Sequence, residues 1–252
     1  MTERELFDAL LYGWFGLSLA TFVSLQFITA PYGRHWRRGW GPELGATTGW
    51  MVMELPAVVV FPACLWLSDR QTSFAAIVFA CMWELHYLHR TFVYPLRRRR
   101  LGQRMPLVIV LLGFSTNLGI NYLNARWVFT FGPERGLGWL SDVRFLLGAA
   151  LFVAGFSINL HSDEILLRLR RSARGYAVPQ GGAYRLVSCP NYLGELIEWG
   201  GWALATWSLP GLAFLTWSAS NLLPRSLAHH RWYRETFPDY PAERRALLPY
   251  IL

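Results

Sequence analysis

Apolar residues fall into seven long stretches, at 6–30, 47–67, 72–94, 106–131, 142–167, 192–208 and 210–228. Each approaches the roughly 20 residues that a helix needs to cross a bilayer. The last two form one apolar run too long for a single crossing, and Pro210 stands where a tight reversal would divide it. Six spans with a kinked final helix is the competing count. The arginines decide between the two. Arg34, Arg37 and Arg38 follow the first stretch, and RRRRLGQR (97–104) follows the third. Arg168, Arg170, Arg171 and Arg174 follow the fifth, and Arg231, Arg234, Arg244 and Arg245 the seventh. The alternate loops are short and nearly neutral, with Asp69 beside Arg70 and Glu134 beside Arg135. Positive charge therefore alternates with each crossing. The pattern predicts an all-α, seven-span membrane protein, N-terminus outside and C-terminus cytoplasmic, in one domain covering 1–252.

Composition supports this reading. The 252 residues are 53% hydrophobic and only 16% charged, against about one quarter charged in a soluble domain. The net charge is +8, carried entirely by arginine. Such a balance suits nucleic acid or an anionic membrane surface. Clustering at span ends selects the membrane, so no nucleic-acid partner is expected. Arginine-only usage and short loops suggest a bacterial inner membrane. Trp36, Trp40 and Trp139 read as interfacial belt residues, and Cys64 and Cys81 as small core residues. The N-terminus, MTERELFDAL, lacks the basic start of a cleavable signal.

Ionisable groups inside spans are costly and usually face a cavity or a partner. This chain has many: Glu54; Glu84, His86, His89 and Arg90; Asn159, His161, Asp163 and Glu164; Glu195 and Glu198; Arg225, His229 and His230. Tyr87, Arg90 and Tyr94 recur at helical spacing. So do Asn159, Asp163 and Arg170, then Asn191, Glu195 and Glu198, then Arg225, His229 and Tyr233. Four polar stripes on apolar helices predict a polar cavity open to the cytoplasm. Asn117, Asn121 and Asn124 share a face as well, and suit interhelical hydrogen bonds at least as well as ligand contact.

An anionic ligand with ribose and amide parts fits this set. Arginines grip phosphates, and carboxylates bind ribose hydroxyls or a carboxamide. No GxGxxG, GxxxxGK[ST] or HExxH occurs, which removes the usual dinucleotide, P-loop and metalloprotease sites. His86 and His89 could ligate a metal, but no further ligand set accompanies them, and no metal is expected.

Several segments together resemble the steroid 5α-reductases. They are MELP (53–56), HYLHRTFVYP (86–95), SDVRF (141–145), INLHSDEIL (158–166), VPQGGAYRLVSCPNYLGELIEW (178–199), WALATWSLP (202–210) and HHRWYRETFPDYP (229–241). The likeness runs in order from about Glu54 to the C-terminus and is weak in the first span. It implies NADPH-dependent reduction of the C4–C5 double bond of a 3-oxo-Δ4 steroid. Glu54 and Tyr87 match the catalytic pair that holds the 3-keto oxygen. Asn159, Asp163, Arg170, Tyr176, Asn191, Glu195, Arg225, His229 and Tyr233 match the NADPH contacts, and Arg90 is a weaker match. The loop PLRRRRLGQRMP (95–106) is longer and more basic than expected for the animal enzymes of the family; one of Arg97 to Arg104 could meet the 2′-phosphate. The expected partners are a hydrophobic steroid or similar enone lipid and the membrane lipid around a monomer.

SCPNYLGE (188–195) and the aromatic, acidic tail also resemble isoprenylcysteine-type methyltransferases, which bind S-adenosylmethionine. The keto-binding motifs and the many arginines argue against that class. Enoyl-CoA and polyprenol reductases are nearer cousins. A lipid carrier is disfavoured because the polar stripes gather at one side and no inverted repeat is present.

Overall fold

The computed structural model describes residues 1–98, 103–172 and 176–252. Arg99, Arg100 and Arg174, three of the arginines used above to set topology, lie outside the described residues. Among the described residues the chain forms seven long helices. They are α1 (Glu3–Phe27), α2 (Ala46–Trp66), α3 (Phe74–Leu88, continuing through His89–Val93 and Tyr94–Arg98), α4 (Leu107–Arg126, extended by Trp127–Phe131), α5 (Val143–Ser172), α6 (Pro190–Thr206) and α7 (Leu209–Thr236). A short antiparallel pair, β1 (Glu43–Gly45) with β2 (Arg104–Pro106), ties the start of α2 to the start of α4.

The fold is all-α and polytopic. Four helices, α1, α2, α4 and α5, are long and apolar enough to cross a membrane on length and composition alone. The other three hold His86, Arg90, Glu195, Glu198 and Arg225. Their hydropathy is lowered by the same residues that form the polar stripes, and α6 has only 17 residues. The reversal between α6 and α7 comes slightly before Pro210. Trp207 is left-handed at φ 44°, Ser208 caps α7 by accepting from the Gly211 amide, and Pro210 sits in the first helical turn, where its missing N–H is no loss.

Helices α5 and α6 meet at van der Waals limits. A Cβ added to Gly155 would lie 2.3 Å from the Glu198 backbone nitrogen, and one on Gly148 2.4 Å from that of Ala205. From the other side, a Cβ on Gly194 would lie 2.6 Å from the Asn159 nitrogen and one on Gly201 2.4 Å from that of Phe152. Glycines seven apart on both helices let the backbones touch, the close approach typical of helix pairs in lipid.

The fourth-span asparagines divide their work. Asn121 accepts from the Trp83 indole at 2.8 Å, and Asn124 accepts from the Trp202 indole at 2.9 Å while donating to the Pro210 carbonyl. These two are interhelical ties. Around them Trp83, Trp199, Trp202, Phe61, Phe79 and Phe214 form a ring-packed core. Two expectations need correcting. Trp139 is buried and donates to the Ala205 carbonyl at 2.9 Å, so it anchors a loop to α6 and is no belt residue. Cys81 points outward, because it lies on the opposite side of α3 from Ala80 and Trp83.

Replacing Gly155 or Gly201 by alanine forces a methyl into backbone and should cost about 1–3 kcal/mol. Thermal unfolding of the detergent-solubilised variants, followed by tryptophan fluorescence, should show midpoints below wild type. Unchanged midpoints in both would show that the two helices do not need this closeness.

Candidate active site

The local chemistry of α3 begins with Pro95. In a regular helix the Arg90 carbonyl would accept from the Tyr94 amide. Here the Tyr94 amide reaches back to the His89 carbonyl, making one π-turn over His89–Val93. The next residue, Pro95, has no N–H to offer. The Arg90 carbonyl is instead taken by the Trp50 indole of α2 at 3.1 Å. Such π-turns gather at functional sites, and this one carries the central cation of the molecule.

The Arg90 guanidinium lies over the Trp50 and Tyr94 rings, at 4.8 and 4.9 Å from their centres. Its two terminal nitrogens face Asp163 of α5 at 3.8 Å and Glu195 of α6 at 3.7 Å. Asn191 donates to Asp163 at 3.1 Å, and Asn159 donates to the Asn191 carbonyl at 2.9 Å. Five residues singled out from the sequence thus form one cluster. The oxygens facing Arg90, Asp163 Oδ2 and Glu195 Oε2, are buried and accept no hydrogen bond.

A cavity opens beside this cluster, lined by Arg34, Arg90, Arg98, Arg170 and Arg225 together with Tyr32, Trp50, Tyr176, Asn191, Tyr192, His229 and Tyr233. Arg225 donates to the Tyr192 hydroxyl at 3.0 Å and lies 3.8 Å from the centre of the Tyr32 ring. Tyr192 also meets His229 Nε2 at 3.1 Å, and His229 Nδ1 meets His35 at 3.1 Å, the two imidazoles being stacked. Arg34 donates to the Tyr233 hydroxyl at 3.1 Å and covers Trp232, with the more exposed Tyr176 at its edge. Among the described residues, no carboxylate lies within 4 Å of Arg34, Arg98 or Arg225. Arg34 Nη1 and Arg98 Nε are buried without a partner. Buried cations without counter-charge are expensive, so the cavity suits a polyanion.

Glu54 and Tyr87 lie deeper. Glu54 is buried on α2 and accepts from Asn117 of α4 at 3.2 Å, while Asn117 also donates to the Met53 carbonyl. Tyr87 is buried between Trp83, His86 and Trp199. No hydrogen bond joins Glu54 to Tyr87; the one side-chain partner of Glu54 among the described residues is Asn117. An apolar chamber of about 350 Å³ lies between α1, α2, α4 and α7, adjoining the polar cavity; neither Glu54 nor Tyr87 lines either space. The chamber is lined by Leu17, Leu25, Met53, Leu112, Trp217 and others, and shares Tyr32, Leu222 and Arg225 with the polar cavity.

Several residues of this site escaped the sequence reading. Arg34, grouped with the topology arginines, and Tyr32 and His35 beside it, come from the α1–α2 connection. Tyr192 sits one position from Asn191, and Asn117 holds Glu54. The signal for the first group was the run YGRH (32–35), too short to stand out. Within the basic loop, Arg97 pairs with Glu164 at 2.5 Å, whereas Arg98 reaches the cavity.

The profile of the family described as 3-oxo-5-alpha-steroid 4-dehydrogenase matches residues 103–252. The chain is 40% identical over 238 residues to the steroid 5-alpha-reductase DET2 of Arabidopsis thaliana, covering 92% of this chain and 91% of that one. It is 37% identical over 257 residues to 3-oxo-5-alpha-steroid 4-dehydrogenase 1 of Bos taurus, covering 100% and 99%. It is 41% identical over 243 residues to 3-oxo-5-alpha-steroid 4-dehydrogenase 2 of Homo sapiens, covering 92% and 94%.

Burial, with Arg225, Arg34 and Arg37 nearby, holds the His35 imidazole down to about 4. Unfolded, it would take its proton near 6.5. The unfolded chain therefore binds the extra proton between about 6.5 and 4, and the contribution of docked His35 is lost as pH falls through that window. The thermal midpoint of the cofactor-free protein should drop between pH 6.5 and 4, and drop less in His35→Gln. Parallel pH curves for the two would show that His35 carries no such linkage.

Proposed function

The chain belongs to the 3-oxo-5-alpha-steroid 4-dehydrogenase family, and from that premise we propose that it reduces the C4–C5 double bond of a 3-oxo-Δ4 steroid, or an enone lipid of similar shape, using NADPH. It is an oxidoreductase. The observation that carries the cofactor assignment is the set of uncompensated arginines beside two unsatisfied carboxylate oxygens. Arg34, Arg98, Arg170 and Arg225 would meet the three phosphate groups, with His229, Tyr233 and Tyr176 beside them. Asn159 and Asp163 would take the adenosine side, and Asn191 and Glu195 the nicotinamide end, with Arg90 holding the carboxylates in place. S-adenosylmethionine, which has no phosphate, would leave Arg34, Arg98 and Arg225 without a counter-charge.

When bound, NADPH supplies a hydride to C5 of the substrate. Negative charge then builds on the 3-keto oxygen, and the Tyr87 phenol donates a hydrogen bond to it. A donor aimed at developing charge in a dry site is the usual source of large catalytic gains. Glu54, oriented by Asn117, would in its protonated form donate to the other side of that oxygen, and the enolate would then return to the ketone as C4 takes a proton from water. The adjoining apolar chamber accommodates the hydrocarbon rings, and the shared Tyr32 and Arg225 bring it against the cofactor. We place the N-terminus outside and the C-terminus in the cytoplasm, so that the arginine cavity faces the cytoplasmic pool of NADPH. The chain acts as a single-domain monomer.

The test is NADPH oxidation by purified protein with progesterone or testosterone. Wild type should give the 5α-reduced product. Tyr87→Phe should lose about 10²- to 10³-fold in kcat, the usual cost of one oxyanion donor, and Glu54→Gln should fall in the same direction, both still binding NADPH. Full turnover in both variants would remove this pair from the chemistry. Binding of S-adenosylmethionine in place of NADPH would overturn the reductase assignment.

Arg34→Gln and Arg225→Gln should each weaken NADPH binding about 10- to 100-fold, the worth of one lost charge-assisted contact. Quenching of tryptophan fluorescence by the nucleotide measures it. Affinities equal to wild type would move the phosphates elsewhere.

A further inference from the structure

One buried ionisable pair has no part in the scheme above. Glu198 of α6 is 0% exposed, and its Oε1 lies 2.9 Å from His86 Nδ1 of α3. The pair sits one turn deeper than Arg90 and Glu195, since residues 86 and 90 share a face of α3 and 195 and 198 a face of α6. The two antiparallel helices are therefore joined by two rungs, with Tyr87 beside the inner one.

His86 presses its edge on the Trp199 ring at 4.5 Å between centres. Tyr87 lies nearly parallel to the same ring at 5.8 Å, and His86 and Tyr87 are 5.0 Å apart. The neutral asparagine–tryptophan ties elsewhere in the core employ both ends of each amide. This tie instead joins a carboxyl group to an imidazole through one oxygen only. Glu198 Oε2 and the neighbouring Trp199 Nε1 are buried without partners.

We propose that Glu198 is a positioning residue for Tyr87: its hydrogen bond to His86 fixes the turn of α3 and the Trp199 ring between which the phenol stands. This rests on the assignment of Tyr87 above. Removing the hydrogen bond lets the phenol drift from the keto oxygen, and a displacement of about 1 Å is enough to cost on the order of 10²-fold in rate. The nucleotide, gripped by arginines farther out, is bound as before.

The experiment compares Glu198→Leu, Glu198→Gln, His86→Phe and His86→Gln in detergent-purified protein. Each is assayed for NADPH affinity by fluorescence quenching and for steroid turnover per NADPH-binding molecule. The leucine and phenylalanine variants should lose roughly 10²-fold in kcat with NADPH affinity and steroid KM near wild type. The two amide variants, which can still bridge α3 and α6, should recover most of that loss. Should Glu198→Leu fail to fold, His86→Phe and the amide pair still decide. Wild-type kcat in His86→Phe would overturn the proposal, as would a Glu198→Gln variant as slow as Glu198→Leu. Wild-type protein that binds NADPH but reduces no steroid would count against the function proposed above and would be seen before any variant is compared.

Discussion

Everything at the site depends on how closely α5 and α6 approach. Gly148 and Gly155 on one helix and Gly194 and Gly201 on the other bring backbone against backbone. The contact leaves no room for sliding, so it fixes the register of the pair. Register in turn decides which side chains meet: Asn159 reaches the Asn191 carbonyl, Asn191 reaches Asp163, and Asp163 and Glu195 arrive on either side of Arg90. In lipid no hydrophobic force drives helices together. Shape at the contact does that work, and the polar cluster inherits its geometry.

The second constraint is electrostatic. Several charged residues near the surface are answered locally: Arg126 by Glu3, Arg144 by Asp142, Arg97 and Arg168 by Glu164. Around the inner cavity the balance fails. Arg34 and Arg225 rest on tyrosine and tryptophan faces and hydroxyls. Ring faces hold a guanidinium in position while neutralising little of it. Arg34 and Arg225 are thereby held in place with no carboxylate to answer them among the described residues.

Most of the fold was legible in the sequence because it follows from two strong signals, apolar length and the alternation of arginine. The polar stripes were legible because helical spacing brings Asn159 to Asp163 and Arg225 to His229 on one face. What stayed hidden came from outside that periodicity. Arg34 and His35 belong to a connection, where spacing says nothing about direction. Asn117 matched the pattern of its neighbours Asn121 and Asn124, yet it alone meets a carboxylate. Trp139 resembled any interfacial tryptophan, and only the position of the Ala205 carbonyl makes it an anchor. The paired glycines of α5 and α6 could be read only with both helices in view.

The π-turn in α3 has a bearing on how this segment is compared with others. One extra residue is accommodated between His89 and Val93, so the helix beyond it is turned by about 100° relative to an unbroken one. Tyr87 and Arg98 are therefore out of phase with each other. A helical wheel drawn straight through 74–98 puts one half of the segment on the wrong side. Aligned sequences that differ by a single gap here would differ in which arginines look inward, while remaining almost identical letter for letter.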